Sequence, residues 1–117
     1  MKQIILPYLI LSLFFVACDS KVESEQLDKV EEVMMVNLDS AATMLSEMPK
    51  PTSSEANIAR YYLIDNWIKY ARYEKTFDIE SLERAYHYFN DSDSNLRKAQ
   101  VNYLKGAIYD QLKIGDE

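Results

Sequence analysis

A chain of 117 residues holds one small domain at most. Two glycines and three prolines against 48% hydrophobic residues disfavour a turn-rich β-sandwich, a collagen-like repeat or a wholly disordered chain. One cysteine excludes a disulfide framework or a multi-cysteine zinc site, one histidine leaves little for metal or acid–base chemistry, and a net charge of −6 argues against nucleic acid as a partner.

The chain opens with Met1-Lys2-Gln3, an apolar run from Ile4 to Val16, then Ala17-Cys18-Asp19. A basic start, a short apolar stretch and a small residue before the break have the form of a secretory signal. The run is shorter than the ~20 residues a spanning helix needs, and Pro7 interrupts it. Phe15-Val16-Ala17-Cys18 resembles the lipobox of bacterial lipoproteins, with Phe15 where leucine is usual. The resemblance implies a signal peptide over 1–17, a lipidated anchor over 18–21 and lipid attachment at Cys18. The chain's first partner is then the membrane, reached through that lipid, and its location is the cell envelope, the outer membrane rather than the inner. Several acyl chains anchor firmly where one binds marginally. Removing residues 1–17 takes away Lys2 and no acid, so the net charge becomes −7.

The remaining residues carry apolar positions at helical spacing in five stretches, with no strand signal. In the first, Leu27, Val30, Val33 and Met34 share a face among acidic neighbours, Ser20 and Glu23 fit a capping box, and Asn37-Leu38 fits a left-handed stop. Asp39-Ser40 then caps a second helix through Ala41, Ala42, Leu45 and Met48. The two form a first hairpin over 22–48, and 49–53 (Pro49-Lys50-Pro51-Thr52-Ser53) is a linker. A third helix is expected over about 54–75, with one stripe of Tyr61, Ile64, Ile68 and Ala71 and another of Leu63, Trp67 and Tyr70. Such a helix needs neighbours on both sides. Asp78 caps a fourth helix bearing Ile79, Leu82, Ala85, Tyr86 and Phe89. The fifth, about 94–114, again has two stripes: Leu96, Ala99, Tyr103, Ala107, and Val101, Leu104, Ile108, Leu112.

Tyr62-Leu63 recurs as Tyr103-Leu104 and Tyr70 pairs with Tyr109, which suggests a helix-pair repeat near 40 residues. Ala85-x3-Phe89 has the small-then-aromatic form of a second tetratricopeptide helix. Leu104-x-Gly106-x2-Tyr109 with Gly115-Asp116 is a loose version of the first-helix signature. In this order, after the lipobox, the elements resemble the tetratricopeptide-repeat lipoproteins common in Bacteroidetes, over nearly the whole chain. The resemblance implies an all-α fold of antiparallel hairpins stacked as a short right-handed solenoid over about five helices, with 54–117 its repeat region and the last repeat incomplete. It implies a non-catalytic protein-interaction or assembly module with a protein or peptide partner. Two alternatives stand beside it: a truncated member of the longer family without independent activity, and a glycan-binding accessory lipoprotein presenting Trp67 and tyrosines on one concave face.

No motif for catalysis, metal or a cofactor emerges. His87 has no second histidine to join it, and the acid pairs and Asp91-Ser92-Asp93-Ser94 lack the spacing of a calcium loop. Eight tyrosines and the single tryptophan fall between residues 61 and 109, mostly as repeat core. Tyr62, Tyr73 and Tyr88 belong to no stripe and are the binding candidates. The last helix lacks a polar capping face, so Val101, Leu104, Ile108 and Leu112 are expected to form an association face, used for self-association or covered by further residues.

Overall fold

The computed structural model describes residues 20–115, and among them the regular structure is all helix, with no strand. The apolar leader and Cys18 lie outside the described residues. Helix α1 is described over 20–34, followed by α2 (Leu38–Glu47), α3 (Glu55–Ala71), α4 (Ile79–Asn90) and α5 (Asn95–Gly115). Among the described residues no helix is long and apolar enough to cross a membrane.

Side-chain oxygens satisfy the backbone donors at four helix starts. Asn37, Ser54, Asp78 and Ser94 accept from the backbone N–H three residues on, at Ser40, Asn57, Ser81 and Arg97. At Asn37 this corrects the sequence reading. Its φ is −154°, so it starts α2 rather than stopping α1 in a left-handed turn, and Asp39 falls in the first turn of α2, where its charge suits the helix dipole. The third helix also ends earlier than expected, at Ala71 rather than near residue 75. Glu74 N–H donates to the Lys69 carbonyl and Tyr73 N–H to that of Tyr70, the two bonds of a Schellman ending. The left-handed position in that motif usually belongs to glycine, but Tyr73 holds it at φ 61°. With a tyrosine in that place, the sequence carried no stop signal.

Consecutive helices run antiparallel. Arg72 at the end of α3 pairs with Asp39 at the start of α2, Asn66 of α3 bonds Ser81 of α4, and Glu83 of α4 holds Lys105 and Tyr109 of α5. Alternate helices run in the same sense. Asn57 of α3 donates to the Ser20 carbonyl of α1, Trp67 of α3 faces Tyr103 of α5, and Gln111 of α5 donates to the Glu74 carbonyl just beyond α3. Residues that meet across these pairs lie between 29 positions apart, as for Glu31 and Arg60, and 37 apart, as for Ser20 and Asn57. Helices α3 and α5 start 40 positions apart and α2 and α4 start 41 apart, and Tyr70 packs on Tyr103 across α3 and α5.

Two cores flank α3, as its two stripes require. On one side Tyr61, Ile64 and Ile68 pack on Leu27 and Val30 of α1 and Ala41 and Leu45 of α2. On the other, Ala59 and Leu63 pack on Leu82, Ala85 and Phe89 of α4 and on Val101, Leu104 and Ile108 of α5. Each large aliphatic side chain buried this way contributes about 1.5–3 kcal/mol. The expectation of an association face on α5 is corrected here: Val101, Leu104 and Ile108 are fully buried and Leu112 packs against the same cluster, so α3 and α4 already cover that stripe. The opposite stripe faces outward, with Leu96 and Tyr103 exposed.

A charged node joins the three same-sense helices. Glu31 of α1 accepts from Arg60 of α3 (2.6 Å) and Arg97 of α5 (2.8 Å), and Arg60 also binds Asp28. Burial pulls the Arg60 pKa down, but the bonds to Glu31 and Asp28 outweigh it and the net shift is upward. Between α4 and α5 the Tyr109 hydroxyl donates to Glu83 at 2.8 Å, with Lys105 alongside. The hydroxyl bond, opposed by slight desolvation and helped by Lys105 and His87, holds the Glu83 carboxyl below its ordinary range. Stability from this node is thus present above the unfolded carboxyl pKa and is lost as pH falls through the lower folded value. Denaturant unfolding of Glu83→Gln and wild type should show a stability gap at neutral pH that closes below about pH 4.

Candidate functional site

Helices α3 and α5 leave between them an open cleft of about 600 Å³, lined by Tyr70 from α3 and by Asn102, Tyr103, Gly106, Asp110 and Gln111 from α5. The α5 residues share a face because they recur at helical spacing, the face that carries Tyr103 and turns away from the Leu104 core. Tyr103 stands 58% exposed in the cleft wall, with Trp67 at 5.9 Å and Tyr70 edge-on at 6.3 Å between ring centroids. Gly106 gives the cleft room: a Cβ placed there would meet nothing within 4 Å. This glycine does not serve close helix packing, and its effect is to leave the floor of the cleft bare.

The polar groups are oriented by the helix ends. Asn102 Nδ2 donates to the Lys98 carbonyl (2.7 Å) and to Asn90 Oδ1 (3.0 Å). Gln111 Nε2 donates to the Glu74 carbonyl at 3.0 Å. A backbone carbonyl only accepts, so both amides are fixed with their nitrogens turned into the protein. The Tyr70 phenol is held above its ordinary range, first by its interaction with the Tyr103 hydroxyl, then by desolvation and least by Tyr73.

The three tyrosines singled out in the sequence do not come together. Tyr73 stands just beyond α3 and does not line the cleft, 87% exposed because the left-handed backbone turns it out of the helix. Tyr62 is half-buried and packs against both cores, with Arg84 and Lys50 each 6.0 Å from its ring, so it serves the scaffold. Tyr88 lies on α4, 39% exposed and edge-on to Phe89. Tyr103 was missed because it fits the spacing of an apolar stripe, and periodicity cannot say which of two stripes is covered. His87 is exposed with Nε2 3.3 Å from Glu83, and no group of three metal-ligating side chains occurs among the described residues.

The arrangement offers stacking faces and hydrogen-bond acceptors in a fixed frame. Compared with protein-family models, curated proteins and solved structures, the chain matches none. The fold and cleft define an all-helical domain with an aromatic-walled groove.

Proposed function

We propose that this chain is an envelope lipoprotein, tethered through Cys18, whose tetratricopeptide-like helical domain is a non-catalytic interaction module. The docking surface is the cleft between α3 and α5, and the partner is a protein segment. The observation that carries the reading is Tyr103: a large aromatic side chain held more than half exposed and braced by Trp67 and Tyr70 beside a cleft. Tyrosine and tryptophan concentrate binding energy at interfaces because they offer large contact area at little conformational cost. Same-sense alternate helices with antiparallel neighbours support the tetratricopeptide-like reading.

Photocrosslinking in the native host tests the reading. A crosslinking amino acid at position 103 should trap a discrete protein adduct, whereas one at Tyr88 on the α4 side should not. A tagged fatty acid should label the wild type but not Cys18→Ser, and the variant should lose the adduct with its tether. Equal adducts from both positions would refute the docking surface, and equal lipid labelling would refute the tether.

A further inference from the structure

The chemistry of the cleft narrows its ligand. Its aromatic wall presents ring faces that carry negative potential, which attract a cation as readily as they stack on a neutral ring. Its polar groups lean the same way. Both Asn102 amide protons are committed to Lys98 and Asn90, and one Gln111 amide proton is committed to Glu74. Asn102 Oδ1, Gln111 Oε1 and the two Asp110 carboxylate oxygens remain as acceptors without a donor among the described residues. The donors left to face them are one Gln111 N–H and the tyrosine hydroxyls.

Charge completes the pattern. Among the described residues no lysine or arginine lines the cleft. Asp110 makes no ion pair among the described residues, while Glu31 and Glu83 at the two neighbouring nodes are each neutralised by cations of this chain. The whole molecule is acidic, at −6, so its long-range field also favours a basic partner.

A neutral sugar would find the stacking faces and could donate its hydroxyl protons to the same acceptors, but it gains nothing from the charge of Asp110. A guanidinium or ammonium group brings donors only, and it can lie against Tyr103 while bonding to Asp110. We infer that the α3–α5 cleft recognises an arginine- or lysine-bearing segment of a partner protein, with the basic side chain set between the Tyr70–Tyr103 wall and Asp110. This inference rests on the reading of the cleft as a protein docking surface and specifies the chemistry of its occupant.

Trp67, the single tryptophan of the chain, packs on Tyr103 and serves as the reporter. The full chain in non-ionic polyoxyethylene micelles is titrated with acetyl-Gly-Arg-Gly-Arg-Gly-amide, with the same peptide carrying citrulline for arginine, and with a neutral oligosaccharide. The arginine peptide should change Trp67 emission saturably, and the citrulline peptide should bind at least tenfold more weakly. Asp110→Asn, an isosteric change at an exposed site, should weaken the arginine peptide at least fivefold, and Tyr103→Leu should remove most of the response.

No saturable response to the arginine peptide, equal binding of the citrulline peptide or the oligosaccharide, or an unaltered titration of Asp110→Asn would each overturn the assignment. If position 103 still traps a protein adduct when the arginine peptide fails, the docking surface stands and only the cationic occupant falls. If both fail, both readings fall.

Discussion

Replacing Leu104 by alanine is expected to lower the unfolding free energy by about 2–5 kcal/mol while leaving the oligomeric state unchanged. Leu104 has no solvent exposure and packs in the core that α5 shares with α3 and α4. Truncation removes its transfer free energy and leaves a cavity that rigid helices fill only in part. An association face would behave oppositely, since trimming an exposed leucine weakens self-association and barely moves the stability of the monomer. Denaturant unfolding and light scattering on the same samples separate the two. Tyr103→Ala, on the outward stripe, should cost far less because its ring is largely in solvent.

Asn66→Asp should destabilise the fold by about 3 kcal/mol or more at neutral pH. Asn66 is fully buried between α3 and α4, where its Nδ2 donates to the Tyr62 carbonyl and to Ser81 Oγ while its Oδ1 has no partner among the described residues. A carboxylate there would be desolvated, and it would lose the donor that the Tyr62 carbonyl and Ser81 now receive. Burial raises the folded pKa of such a carboxyl above its unfolded value near ~3.9. The folded variant therefore binds its proton more tightly than the unfolded chain does. The penalty is full above the folded pKa and shrinks as pH falls through it. That is the reverse of the Glu83 contribution, so a pH series of unfolding curves distinguishes the two carboxyls. Asn66→Leu removes the orphan oxygen together with the two donated bonds, and it should cost less than Asn66→Asp at pH 7.

Much of the architecture was legible in the sequence. The five helices, their polar caps at Ser54 and Asp78 and the two-sided burial of α3 follow from periodicity and from residues whose side chains satisfy orphan N–H groups. What was not legible depends on which helix lies beside which. Periodicity gave α5 two equivalent stripes, and only packing decides that Leu104 is covered while Tyr103 faces the cleft. The tyrosine spacings of 41 and 39 do not say which tyrosines meet, and packing across α3 and α5 sets Tyr70 against Tyr103. The end of α3 was hidden because Tyr73 takes a backbone conformation that sequence rules reserve for glycine or asparagine. The cleft was invisible for a related reason: its acceptor-rich character arises from Asn102 and Gln111 turning their nitrogens onto carbonyls, a choice made by the folded backbone.

The geometry on which the cleft rests is tested most directly by ring-to-ring nuclear Overhauser effects in the full chain in micelles, with tyrosines and Trp67 selectively labelled. Side-by-side α3 and α5 predict cross-peaks from Tyr103 to both Trp67 and Tyr70, at the 5.9 and 6.3 Å ring separations. Cross-peaks from Tyr70 to Tyr109 in their place, or none between the two helices, would contradict the cleft and the function built on it.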